Sequence, residues 1–201
     1  WAPEYEFHIF EEADFLNEAN DSSFEVHSSE TFFQDAYHAC NPFDKYDDFR
    51  DEVSAAMMDF GIPVRYHHHE VGAQGQQEIE GWFADLLTTG DHAVLTKYIL
   101  FNLAEKYGLK VTFMPKPIYG DNGTGMHCNM SIWKDGKPLF AGDKYADLSQ
   151  EALYFMLQEI TIECRETDSL LVTAYHAGQS RQCGTGTAGA ADIIKTCSTL
   201  S

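Results

Sequence analysis

The sequence predicts an α+β fold in which strands and helices are interleaved up to about residue 156. Three observations predict it. Short runs that alternate apolar and polar positions, such as Tyr5–Phe10, are followed by longer runs with apolar residues at helical spacing. Glycines stand where those longer runs should stop, at Gly61 and Gly108. Lys134-Asp-Gly-Lys is a turn signal between extended segments.

In chain order, Tyr5–Phe10 reads as a strand, and residues 11–40 as a long acidic, serine-rich excursion with short strands. Asp44-Lys-Tyr-Asp-Asp precedes a helix whose Phe49, Val53, Met57 and Phe60 share one face. Ile62–Tyr66 reads as a short strand. A second helix is expected from about Asp91 to Tyr107, with Val94, Leu95, Tyr98, Ile99 and Leu103 inward. Lys110–Met114 and Met126–Trp133 read as strands, and Ser149 as the N-cap of a further helix. After Met156 the character changes. All six prolines lie before this point, three of the five cysteines lie after it, and Gly184-Thr-Gly-Thr-Ala-Gly is of low complexity. Two regions are therefore expected: residues 1–155 as the folded part and 156–201 as a divergent, weakly structured tail.

Composition narrows the function. The chain has 201 residues, 44% hydrophobic and 22% charged, the balance of a soluble globular protein. No window approaches the roughly 18–20 apolar residues of a membrane helix. Glu4, Glu6, Glu11 and Glu12 occupy the place of a signal peptide's basic and apolar regions, so a cytoplasmic location is expected. The absence of an initiator Met suggests a piece of something longer. A net charge of -19 argues against nucleic acid and anionic membranes as partners, though not against ATP, whose charge metal ions can compensate. An odd count of five Cys without a C-x-x-C pair supports neither a disulfide framework nor a structural zinc site.

Three constellations stand out. Glu4 and Glu6 project from one strand face. Carboxylates about 7 Å apart repel unless a cation lies nearby; two solvated glutamates are the plainer alternative. Next comes His67-His-His-Glu-Val-Gly-Ala-Gln-Gly-Gln-Gln-Glu78. Glu70 and Glu78 would be about 26 Å apart on one strand and about 12 Å apart on one helix, too far to share an ion. Gly72 and Gly75 permit a tight reversal, so two antiparallel strands would bring both to one side. The three histidines cannot all ligate one ion, because neighbours on a strand face opposite ways. The third constellation runs from Phe113 to Ser131 and combines Lys116, Gly120, Asn122, Gly123, Gly125, His127, Asn129 and Ser131. Its glycines allow close backbone approach to a ligand, its Lys can neutralise phosphate and its His can bind metal. The spacing is not that of a Walker loop.

These segments resemble the glutamine synthetase family, bacterial type. Pro3-Glu-Tyr-Glu-Phe is similar to its first glutamate pair, and His68-His-Glu-Val with Gln76-Gln-Glu to its central metal strands. Lys116 through Ser131 is similar to its ATP-region signature, and Asn41-Pro-Phe-Asp, Leu139-Phe-Ala-Gly-Asp-Lys-Tyr and Leu148-Ser-Gln-Glu-Ala-Leu-Tyr continue the likeness. The resemblance implies an antiparallel curved sheet, a partial barrel, flanked by helices. It implies ATP-dependent ligation of ammonia to glutamate, giving glutamine through γ-glutamyl phosphate, with two divalent ions, Mg²⁺ or Mn²⁺. Glu6, Glu70 and Glu78 would hold one ion, and Glu4 and His127 the other. Asn122 and Gly123 would contact glutamate; Lys116, Asn129 and Ser131 would lie near ATP. No side chain is singled out as a chemical catalyst, and the full-length family implies a homo-oligomeric ring.

Departures from the pattern sharpen the expectation. Asn129 stands where many members have His, and Arg65 where many have an acidic nucleotide contact. The family's N-terminal β-grasp domain is expected to be missing from this fragment. The loop resembling Asn-Pro-Thr-Asn-Ser-Tyr-Lys-Arg, the substrate arginines and the last metal carboxylate do not follow Tyr154. A shifted reading frame or mis-joined gene would account for the tail. The chain is expected to be a fragment that is inactive alone. The alternatives are a γ-glutamyl ligase for another amine, or a truncated, catalytically dead relative with a binding or structural role.

Overall fold

The computed structural model describes residues 1–18, 21–30, 36–163, 172–176 and 179–180. Two compact units are distinguished, residues 2–126 and residues 127–201 together with Trp1.

The larger unit is built on an antiparallel sheet. β1 (Ala2–Phe10) pairs with β5 (Gln76–Gly81), which pairs with β4 (Val64–His69). β6 (Lys110–Thr112) pairs with the C-terminal end of β1. Among the described residues of this unit the strands do not close into a barrel. β2 (Glu12–Glu18) and β3 (Asp21–His27) form the hairpin that the sequence reads as an excursion with short strands.

Alternation along β1 divides the sheet into an apolar and a polar face. Tyr5, Phe7 and Ile9 are buried against Ile79 and two helices, α1 (Asp47–Asp59) and α2 (Leu86–Tyr107). Phe49, Val53 and Met57 of α1 enter this core as the spacing predicts. Phe60 does not, because the helix ends at Asp59 and Phe60 is its C-cap, 61% exposed. α2 begins earlier than Asp91, because Asp85 caps it by accepting the Thr88 amide at 3.1 Å. Its buried face is Thr96, Ile99, Leu100 and Ala104; Val94 and Tyr98, expected inward, are exposed. Gly108 closes α2 in the left-handed conformation, as predicted.

The smaller unit contains β7 (Met126–Met130, shared across the boundary), the β8–β9 hairpin (Trp133–Lys134, Lys137–Pro138) and α3 (Gln150–Glu163). Asp135 and Gly136, both at positive φ, make the hairpin turn. Ser149 caps α3 by accepting the Ala152 amide at 3.0 Å. Met130, Phe140, Leu148, Ala152, Leu153 and Met156 form its core. β10 (Val172–His176) runs parallel to β7 and pairs with β11 (Gln179–Ser180). Most of the tail expected to be weakly structured lies outside the described residues. No helix among them is long and apolar enough to cross a membrane.

Candidate metal centre

The polar face of the sheet is a small grid. Register places Glu80 of β5 between Glu4 and Tyr66, and Glu78 between Glu6 and His68. His8 lies opposite Gln76, whose carbonyl accepts the Glu70 amide at 2.9 Å. Residues directly opposite on antiparallel strands share a face, so Glu4, Glu6, Glu78, Glu80 and His68 converge on one side, with Glu70 at the margin. The reversal expected at Gly72 and Gly75 is what returns the chain from Glu70 to Glu78.

This side is acidic and largely dry. Glu6 is 7% exposed, Glu78 5% and Glu80 5%. Burial, then the charges of Glu70, Glu4 and Glu6, push the Glu78 carboxyl up to about 10. Burial raises Glu80 as well, with Glu4 adding to the shift and Tyr66 and Arg65 opposing it. Arg65 Nη1 donates to Glu80 Oε2 at 3.0 Å.

His68 is the member of the histidine trio on this face. Its Nδ1 lies 3.0 Å from the His69 carbonyl, which can only accept, so Nδ1 carries the hydrogen. Burial holds the ring below its ordinary pKa, so the neutral ring presents the lone pair of Nε2 to Glu78 Oε2 at 3.6 Å. With its carboxyl so raised, Glu78 is neutral in the absence of a cation; a cation that displaced its proton would find the imidazole nitrogen and a carboxylate oxygen as ligands across that gap. His68, Glu78 and Glu80 offer ligand atoms that all lie within 4.8 Å of one another.

His67 and His69 face the other way. His67 Nδ1 accepts from Arg50 Nε at 3.2 Å, so its Nε2–H donates to Asp51 at 2.9 Å. Although Asp47, Asp51 and His67 also cluster, His67 therefore offers no lone pair there.

A loop after β6 is stitched to the acidic face. Gly125 N donates to Glu6 Oε2 at 2.9 Å, and Gln76 Nε2 donates to Gly123 O at 2.8 Å and to Glu6 Oε2 at 3.2 Å. Asp121 accepts the Ala73 amide at 2.9 Å and the Asn122 amide at 2.8 Å. His8 Nδ1 and Thr124 Oγ1 are 2.9 Å apart. Gly123 permits a close approach, because a Cβ there would come within 2.9 Å of the Pro115 carbonyl oxygen and the backbone would have to shift. Asn122 is exposed beside it, and Lys116 Nζ donates to the Asp121 carbonyl at 2.8 Å.

The structure thus brings together Glu4, Glu6, Glu70 and Glu78, with Asn122, Gly123 and Lys116 on the adjoining loop. His127, Asn129 and Ser131 belong to the smaller unit, at alternate positions on and just past β7. There His127 is half-buried, Asn129 is 2% exposed, and Ser131 Oγ accepts from Trp133 Nε1 at 2.7 Å. Sequence reasoning missed Glu80, although the same two-residue alternation that pairs Glu4 with Glu6 pairs Glu78 with Glu80. It also missed Tyr37 and His38, whose rings lie 5.2 and 4.5 Å from that of His68. Nothing in the acidic stretch before them signals that placement.

The chain is similar to known proteins over most of its length. Residues 1–157 match the family model described as "Glutamine synthetase, catalytic domain". A glutamine synthetase of Nostoc is 43% identical over 175 residues, covering 78% of this chain and 37% of that protein. One from Rhodobacter capsulatus is 57% identical over 120 residues, covering 60% of this chain and 27% of its own length. A 3-hydroxylaminophenol mutase of Cupriavidus pinatubonensis is 50% identical over 120 residues, covering 60% and 26%. The solved Plasmodium falciparum glutamine synthetase superimposes with a TM-score of 0.71 at 28% identity, over 80% of this chain and 35% of that one. The chain spans little more than a third of the length of the curated relatives it matches. It belongs to the glutamine synthetase family, sharing that family's catalytic domain in part.

Proposed function

We propose that residues 1–155 supply the metal-holding part of a site for ATP-dependent ligation of ammonia to glutamate, with γ-glutamyl phosphate as intermediate. The convergence of Glu4, Glu6, Glu70 and Glu78 on one sheet face carries this reading. Glu6, Glu70 and Glu78 would hold one Mg²⁺ or Mn²⁺, and Glu4 with His127 the other. Such ions act as Lewis acids that neutralise phosphate charge and orient the reacting groups. The chain's own residues prepare the site: burial excludes water, His68 presents a lone pair, and the Gly123–Gly125 loop lies against Glu6. Asn122 and Gly123 would contact glutamate, and Lys116, Asn129 and Ser131 the nucleotide. Residues 156–201 form a divergent tail in this reading, and the polypeptide is inactive alone. Assembly into a ring and a cytoplasmic location belong to the same reading. The likeness to a protein named 3-hydroxylaminophenol mutase supports a scaffold used for more than one reaction.

Mn²⁺ titration followed by electron paramagnetic resonance tests the metal reading. The wild type should deplete the free-ion signal, and Glu70→Ala and Glu78→Ala should each weaken binding at least tenfold, the scale expected for losing a ligand from a preformed site. Equal, weak binding by all three proteins would sink the assignment.

A further inference from the structure

Glu30 lies outside every motif of the sequence, yet it is 2% exposed and gathers donors from three separate segments. Its Oε2 accepts from His69 Nε2 at 2.7 Å and from the Gly75 amide at 3.2 Å. Its Oε1 accepts from the Lys45 amide at 2.8 Å. The remaining ring nitrogen of His69, Nδ1, lies 2.7 Å from the carbonyl of Glu70. A carboxylate and a carbonyl can only accept, so both nitrogens of His69 carry hydrogen and the ring is an imidazolium. Both partners of this ion pair have side chains that are 0% exposed. Such a pair survives burial only because its remaining hydrogen-bonding capacity is met, and here it is.

The position of the pair matters more than its strength. Glu70 stands one residue past the end of β4, where its amide still donates to the Gln76 carbonyl at 2.9 Å but its own carbonyl has left the strand pairing and is held by His69. It faces Glu78, whose carboxyl is raised by burial and by the charge of Glu70 and which hydrogen-bonds to Glu70, so the approach of the two carboxyl groups sets how readily a cation replaces that proton. His69 points to the opposite face of the sheet and grips the Glu70 carbonyl from there. Glu30 grips His69 and, through the Gly75 amide, the far end of the same turn. Gly75 in turn accepts the Ile9 amide at 2.8 Å, tying the turn to β1.

We propose that Glu30 and His69 are a positioning pair: by bracing the Glu70 carbonyl and the Gly75 amide from the face opposite the carboxylates, they set the approach of Glu70 to Glu78 and hence that site's affinity for a divalent cation. The cation part rests on the metal reading above; the brace itself does not.

Glu30→Gln tests it, since the substitution keeps the volume and removes the charge, and its amide group turns hydrogens toward donors. Val53→Ala, in the core on α1, serves as a destabilised control away from the site. In the 201-residue chain, amide hydrogen exchange across residues 67–78 should rise about tenfold or more in Glu30→Gln relative to Val53→Ala. Mn²⁺ affinity should fall on the order of tenfold in Glu30→Gln and remain within twofold of wild type in Val53→Ala. In a Glu70→Ala background, Glu30→Gln should add less than a twofold further loss. Exchange across 67–78 no faster than in Val53→Ala would overturn the brace. Mn²⁺ affinity within twofold of wild type in Glu30→Gln, while Glu70→Ala loses it, would overturn its effect on the cation. If the wild type takes up no Mn²⁺, the metal reading fails and removes the cation part, and exchange alone decides the brace.

Discussion

At the scale of single residues, two glycines with the same backbone conformation make different demands. Gly75 has φ +71° and Gly61 φ +81°. A Cβ at Gly75 would strike the carbonyl oxygen of Ile9, a backbone atom of the central strand, whereas nothing lies within 4 Å of one at Gly61. Gly61→Ala should therefore cost only the left-handed strain of about 1–2 kcal/mol. Gly75→Ala carries that strain and must also displace β1 or the turn, for a total on the order of 3 kcal/mol. Urea denaturation of both variants measures the difference, and equal losses would show that the approach to Ile9 is not limiting. The reversal itself is legible in the sequence, because Gly72 and Gly75 between two carboxylates leave few other ways for the chain to turn. What braces the reversal is not legible. Glu30 and His69 are 39 residues apart, and nothing local in either marks the other as a partner.

At the scale of elements, helix α1 is fastened to the sheet by a polar anchor rather than by its cap. Its N-cap Tyr46 makes no side-chain capping bond. Arg50, 2% exposed, instead reaches Asp44 through Nη2 at 2.6 Å and Nη1 at 3.1 Å, Asp47 at 3.0 Å, His67 at 3.2 Å, and Gln77. Burial alone would raise the Asp44 carboxyl, but the hydrogen bonds and charge of Arg50 outweigh it and hold the group below its ordinary value. A carboxyl depressed in the folded state stabilises fully above its unfolded pKa, about 3.9, and that stability is lost as pH falls through the folded value. Glu11 is shifted the same way, its bonds from Ser29 and Tyr46 overcoming its burial. Asp44→Asn should therefore reduce, without abolishing, the loss of stability between about pH 5 and pH 3. Denaturation midpoints across that range give the slope, and an unchanged acid limb would count against Asp44. The hydrophobic face of α1 and the glycine closing α2 were legible because each is a local pattern. The role of Asp44 was not, since acidic residues just before a helix read first as caps.

At the scale of the whole molecule, apolar surface stays exposed among the described residues. Leu87, Val94, Tyr98 and Phe101 are 76%, 73%, 61% and 49% exposed. At about 100° per residue they fall on one stripe of α2, opposite Thr96, Ile99 and Leu100. Trp82, Phe83 and Leu86, also exposed, stand just ahead of the helix start or at its first residue. The sequence misleads at this point for a physical reason. A helix apolar on two sides has no single period to read, so Val94 and Tyr98 look like core when only the opposite face enters it. The acidic convergence suffers no such ambiguity, because carboxylates forced together by alternation have one shared face. A contiguous apolar stripe of this kind on a dissolved chain favours association. The wild-type chain should therefore sediment as progressively larger species as concentration rises. Val94→Lys combined with Tyr98→Lys should hold it to one smaller species, with far-UV circular dichroism unchanged because neither side chain enters the core. Sedimentation velocity over a tenfold concentration range decides. If the doubly substituted chain still associates as the wild type does, the stripe on α2 is not the surface through which copies meet.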